Sequence, residues 1–225
     1  MTRPTLKPLV VPSDKLTLEA SDWLARELQK VLATKQRVSL ALSGGNTPRP
    51  AYSLLAEHTL PWERVDVYFV DERFVPPDHA DSNYRLVKES LLTPLKLADS
   101  QVFRMQGERE DRDAAARDYE KTLPAKLDVV LIGVGEDGHT ASLMPGHPAL
   151  QERARRVLAV EQSAKPPPWR MTLTFPVLQG AGAVLGLVAG EGKRDAMRRV
   201  LQGDMQLPAS HVTNTQWMLD PAAGG

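Results

Sequence analysis

Cysteine is absent from this 225-residue chain. That absence removes disulfides, thiolate metal sites and a thiol nucleophile together. Charge of one sign is not in excess either: Lys plus Arg and Asp plus Glu each total 28, for a formal net charge of zero. A balanced chain carries no broad basic footprint for nucleic acid and no polybasic face for a membrane, although a site for a small anion needs only local positive charge. No apolar run approaches the roughly 18 residues needed to span a bilayer, and Met1–Pro12 has no apolar stretch of the kind a secretory leader carries. Histidine pairs at H-x-x-H or H-E-x-x-H spacing are missing, as is a G-x-S-x-G elbow, which argues against a metal site and a serine triad. The expectation is a cytoplasmic, monomeric globular protein that uses no metal and no cofactor and engages neither nucleic acid nor membrane.

Hydrophobic residues make up 42% and charged residues 25%, the proportions of an ordinary soluble domain. Strand-like and helix-like segments alternate along the chain. A helix is predicted from about Thr17 to Ala33, with Ala20, Trp23, Leu24, Leu28, Val31 and Leu32 on one face. Further helices are predicted at Thr47–Glu57, Ser82–Leu92, Asp111–Thr122 and Gly192–Leu201. Strands are predicted at Val38–Leu42, Val65–Val70, Leu127–Ile132, Val157–Val160, Met171–Thr174 and Val184–Val188. This alternation predicts an α/β fold: a single domain over residues 1–225, with a largely parallel sheet flanked by helices on both faces. Open sheets of this kind bind ligands beyond the carboxyl ends of their strands. The unusual residues of the chain fall at such ends, so one shared site is expected there.

Three segments carry that expectation. In Ser43-Gly44-Gly45-Asn46-Thr47-Pro48 two glycines let the backbone turn and present N–H groups to an anion, with a helix start behind them. The competing reading is a plain turn with Thr47 as N-cap. Asp71-Glu72-Arg73 crowds two carboxylates and a guanidinium at a strand end, where they could orient hydroxyl groups, fix an imidazole or meet an anion, or simply be solvated. Gly133-Val134-Gly135-Glu136-Asp137-Gly138-His139 formally matches the dinucleotide fingerprint, and Glu161 offers a ribose partner. That reading needs a helix opening at the third glycine, and His139, Pro145 and Pro148 leave no room for one.

What remains is a glycine-rich loop carrying Asp137 and His139. An isolated histidine is usually structural, but this one lies among glycines, beside a carboxylate, at the ligand edge. Imidazole is the side chain suited to proton transfer near neutrality, so His139 is the candidate base. His58, His79, His147 and His211 lack such surroundings, and nothing marks Ser142 as a nucleophile. Arg170 and Lys193 could hold a phosphate or be solvated charges.

At these residues the chain resembles the 6-phosphogluconolactonase family. The resemblance rests on Leu42-Ser43-Gly44-Gly45-Asn46-Thr47-Pro48, on Asp71-Glu72-Arg73 with Asp81-Ser82-Asn83-Tyr84, and on the run Gly133 to Leu143. Trp169-Arg170-Met171-Thr172 and Gly190-Glu191-Gly192-Lys193 complete it. Asn46, where a smaller hydroxyl residue is common, and Met144, where phenylalanine is common, depart from the pattern.

The resemblance implies the fold of the glucosamine-6-phosphate isomerases and hydrolysis of 6-phospho-D-glucono-1,5-lactone in the pentose phosphate pathway. It implies His139 as general base; Asp137, two residues away, is the candidate to hold its tautomer. The resemblance also implies phosphate or substrate contacts at Arg73, Arg170 and Lys193, and the segments themselves add Ser43, Gly44, Gly45, Asn46, Thr47, Asp71, Glu72, Asn83, Gly135 and Gly138 as candidate substrate-binding residues. The sister glucosamine-6-phosphate deaminases carry Asp-Glu-Tyr at the second segment and a glutamate in the stretch that here reads Ser142-Leu143-Met144-Pro145. The missing glutamate favours the lactonase. A sugar-phosphate sensor without turnover would have no use for the histidine.

Overall fold

A computed structural model describes residues 7–161 and 166–225. Of the segment Met1–Pro12 it therefore covers Lys7 onward. Among the described residues, nine strands divide between two sheets. Strands β1 (Leu9–Val10), β2 (Val38–Leu42), β3 (Val65–Phe69), β5 (Val129–Ile132), β8 (Ala183–Val188) and β9 (Thr215–Leu219) form a six-stranded sheet in the order β1-β9-β8-β5-β2-β3. Every neighbouring pair in it is parallel. Strands β4 (Asp71–Arg73), β6 (Val157–Glu161) and β7 (Trp169–Leu173) form a second, antiparallel sheet in the order β4-β7-β6.

The central strands are near-continuous apolar runs, as strands covered on both faces must be. All five residues of β2 and all four of β5 are buried. Helix α1 (Leu16–Leu32) lies against β2, β5, β8 and β9. It places Ala20, Leu24, Leu28 and Leu32 inward, while Trp23 and Val31 are half-buried beside the same core. Helix α2 (Arg49–Leu55) follows β2 and packs on α1. Helix α3 (Asn83–Val87) opens on Ser82, whose Oγ accepts from the Arg85 N–H, and runs through a π-helical turn at Lys88–Leu92 into α4 (Thr93–Leu95). Asp111 caps α5 (Arg112–Thr122) in the same way. After β7 come α6 (Phe175–Gly180), then α7 (Arg194–Leu201) and α8 (Pro221–Gly224).

The six-stranded parallel sheet with its helices is the architecture read from the alternation. Two expectations change. The strands at Val157 and Met171 were expected among the parallel set, yet they pair with each other antiparallel. Only seven residues separate β6 from β7, too few for the crossover that a parallel pair requires. The second helix is also shorter than Thr47–Glu57: its N-cap is Pro48, with no side-chain cap, so Thr47 does not cap it. No helix among the described residues is long and apolar enough to cross a membrane.

Candidate active site

Parallel strands point the same way, so the loops after β2, β3, β5 and β8 emerge together. They enclose a cavity of about 210 Å³ lined by residues of all four, among them Ser43, Gly44, Gly45, Asp71, Arg73, Asn83, Gly135, His139 and Lys193. Gly133, Val134 and Ala141 complete its wall.

His139 is fixed by its own loop. Its Nδ1 lies 2.5 Å from Oδ1 of Asp137, which also accepts from the His139 backbone N–H at 3.2 Å. Gly135 donates its N–H to the His139 carbonyl at 2.8 Å, closing the loop. A Cβ at Gly135 would stand 2.0 Å from His139 Nδ1, so only glycine lets the imidazole lie this close to the backbone. A carboxylate can only accept, so the shared proton sits on Nδ1, and Nε2 carries the lone pair.

Asp71 faces the cavity with its two oxygens held from opposite sides. Asn83 Nδ2 donates to Oδ1 at 3.2 Å and to the Asp71 carbonyl at 2.9 Å, and Ser142 Oγ donates to Oδ2 at 2.7 Å. Ser142 in turn is tied through its N–H to Thr172 Oγ1 at 3.1 Å. The residue between His139 and this anchor, Ala141, has φ +51°. A non-glycine residue in the left-handed region costs of order 1–3 kcal/mol and is tolerated here between the anchors of Thr140, on the Gly133 carbonyl, and Ser142.

Positive charge is contributed by Arg73 and Lys193 in the wall, with Arg170 behind. Arg73 donates through Nη1 to the Asp81 carbonyl, while its buried Nε has no partner among the described residues. Arg170 sits directly opposite Arg73 in the β4–β7 ladder. Burial, and then the Arg73 charge, hold the Arg170 guanidinium below its ordinary pKa. Its Nε donates to the Pro167 carbonyl at 3.0 Å, and it does not line the cavity.

Several residues expected at the site stand elsewhere. Glu72 is 3% exposed, and its carboxylate accepts from the N–H groups of Arg73, Asn83 and Tyr84 and from Ser82 Oγ, at 2.7 to 3.0 Å. Burial pushes this carboxyl above its ordinary value, against the lowering effect of those donors. It braces the start of α3, with its oxygens engaged by those donors, and does not line the cavity. Asn46 is exposed and Thr47 half-buried, both outside the cavity wall, because the chain turns away from the site after Gly45. Gly138 serves the turn, donating to the Gly135 carbonyl at 3.0 Å, and also lies outside the wall. Conversely, Ser142, set aside as a nucleophile, proves to be the residue that holds Asp71. Its signal in the sequence was slight, a lone serine three residues after the histidine.

A larger open cleft of about 650 Å³ lies over Tyr84, Arg85, Lys88 and Glu89. It contains no histidine, and its Glu89 carboxylate is taken by Arg49 and Arg85. Of the two, only the smaller cavity is lined by a histidine. Among the described residues no group of three or more His, Asp or Glu side chains is placed to hold a metal ion.

The profile described as glucosamine-6-phosphate isomerases/6-phosphogluconolactonase matches residues 12–219. The 6-phosphogluconolactonase of Rattus norvegicus is 41% identical over 206 residues, covering 83% of this chain and 79% of the rat protein. That of Homo sapiens is 37% identical, covering 98% of this chain and 93% of its own. The crystal structure of the Thermotoga maritima 6-phosphogluconolactonase superposes with a TM-score of 0.86 at 29% identity, over 95% of this chain and all of the other. The Trypanosoma cruzi 6-phosphogluconolactonase gives 0.86 at 28% identity, over 99% and 98% of the two chains.

Proposed function

Since the chain belongs to the glucosamine-6-phosphate isomerase/6-phosphogluconolactonase family, we propose that His139 and Asp137 carry out its reaction, with the cavity around them as the lactone site. The activity is that of a 6-phosphogluconolactonase, a hydrolase of the pentose phosphate pathway. The observation that carries the site assignment is the 2.5 Å contact between His139 Nδ1 and Asp137 Oδ1, at the wall of a cavity that also holds Arg73 and Lys193.

A δ-lactone is an activated ester, so a positioned water and a base suffice to open it. With Nδ1–H donated to Asp137, Nε2 of His139 takes a proton from water as the water oxygen attacks C1. Negative charge passes to the former carbonyl oxygen, where backbone N–H groups of a glycine loop stabilise it. The tetrahedral species collapses by breaking the bond from C1 to the ring oxygen, which receives the proton from the imidazolium. Asp137 stabilises the imidazolium while it exists. Asp71, held by Asn83 and Ser142, accepts from sugar hydroxyls. Arg73 and Lys193 hold the phosphate, and Arg170 adds its charge from behind Arg73. Binding energy at the phosphate thus serves to orient the reacting carbon.

Asp71 is the one carboxylate among the described residues that line the cavity, and the segment Ser142–Pro145 brings none. The glutamate that the deaminases carry in that segment is therefore missing, which favours the lactonase. The same reading takes residues 1–225 as one domain, acting as a cytoplasmic monomer without metal, cofactor, nucleic acid or membrane. The shared hydrophobic core of the two sheets supports the single domain, and the balanced charge supports the lack of a nucleic-acid or polybasic membrane face.

The test is hydrolysis of freshly generated 6-phosphogluconolactone in the presence of a chelator, followed by a coupled dehydrogenase. Wild type should exceed the spontaneous rate by a wide margin, and His139→Ala should lower kcat by about 10²–10⁴-fold, the usual worth of a general base. A chelator-sensitive wild type, or a His139→Ala variant at the wild-type rate, overturns the mechanism.

A further inference from the structure

One peptide unit in the cavity wall is clamped from outside the site. Tyr52, on α2 and completely buried, donates its phenolic proton to the main-chain oxygen of Ser43 at 2.6 Å. Burial, and after it the nearby Asp71 charge, push the phenol well above its ordinary pKa, so the hydroxyl stays protonated and donates. From the other side Asn83 closes on Gly44, where a Cβ would stand 1.8 Å from Asn83 Oδ1. The Ser43–Gly44 bond is trans, the cis bond among the described residues being Pro166–Pro167. In a trans peptide the C=O and N–H point oppositely. Holding the Ser43 oxygen toward Tyr52 therefore turns the Gly44 N–H away from the core.

Gly44 lines the cavity, and among the described residues its N–H has no acceptor within the protein. Its near surroundings are Asn83 and, through Asn83, Asp71, with Arg73 on the same strand. The imidazole of His139 stands instead against Gly135 and Asp137. The Gly44 N–H thus belongs to the end of the cavity that binds, not to the end that reacts.

We propose that Tyr52 is a positioning residue, which aims the Gly44 N–H at the anionic end of the bound lactone and makes it a binding donor beside Arg73. This rests on the assignment of the cavity as the lactonase site. Tyr52 does not line the cavity and touches no substrate; its effect passes through one backbone peptide.

Two measurements test it. In ¹⁵N-labelled wild type titrated with 6-phosphogluconate, the reaction product, the Gly44 amide proton should move downfield and its exchange should slow. In Tyr52→Phe, KM should rise about tenfold, the smaller end of what a hydrogen bond to a charged group contributes, with kcat within about twofold. Leu28→Ala, a core change on α1 remote from the cavity, lowers the melting temperature and should leave KM unchanged. If product shifts the resonances of His139 and Lys193 but not that of Gly44, the inference fails while the site assignment stands. A KM rise in Leu28→Ala equal to that in Tyr52→Phe also overturns it. If no resonance of the wild type moves, the site assignment falls and this inference with it.

Discussion

Lys193 and Arg73 reach the cavity from opposite sides of the parallel sheet, one from the loop after β8 and the other from the strand that follows β3. In the proposed site each donates to a phosphate whose charge does not change while C1 reacts, so its contribution is equal in ground and transition states. Lys193→Ala should therefore raise KM by about tenfold or more, in line with a charge-assisted hydrogen bond, and leave kcat nearly unchanged. Steady-state kinetics with the phosphorylated lactone checks this, and a fall in kcat at constant KM would place Lys193 at the reacting carbon instead. At this scale the sequence was most readable where partners lie close along the chain. His139 and Asp137 are two residues apart, and Gly135 four, so their loop could be read as one unit. Glu72, adjacent to Asp71 and Arg73, looked identical in kind to them. Strand alternation separates it, sending Glu72 into the start of α3 while its neighbours face the cavity. Tyr52 gave no signal, because its role runs through a backbone oxygen nine residues away.

Between residue and molecule stands the unit of β4 and α3. Glu72 gathers three N–H groups and the Ser82 hydroxyl, and so ties Arg73 on one side to Asn83 on the other. Glu72→Gln replaces an acceptor-only group by one that presents an NH₂ to existing donors. At least one buried N–H should lose its partner, at a cost of about 1–3 kcal/mol. Urea denaturation reads the cost, and KM should rise with it because Arg73 and Asn83 both shift. An unchanged midpoint would show that the brace is not needed. Elements with local signals were readable: α1 through its apolar face and β5 through its unbroken apolar run. Strand β4 was not, since three charged residues do not form a strand by propensity and this one exists because β7 pairs with it. Strand β9 was also missed. Thr215–Leu219 contains Gln216 and follows a polar loop, and its burial comes from pairing with β8 and from the covering α1.

On the scale of the whole molecule, the site is a consequence of parallel strands ending together. Residues 43–45, 71–73, 133–139 and 193 are far apart in sequence and meet because β2, β3, β5 and β8 share one direction. That convergence could be read before any distance was known, and so could the family. The second sheet was missed, although the short link between β6 and β7 already excludes a parallel pair. The most direct measurement of the central assignment is a double-mutant cycle on kcat for His139→Ala and Asp137→Asn, with chelator present. If Asp137 acts only by holding the His139 tautomer, each single change should be severe, and the double variant no slower than His139→Ala alone. Independent, additive losses, or an Asp137→Asn variant as fast as wild type, would contradict the paired roles.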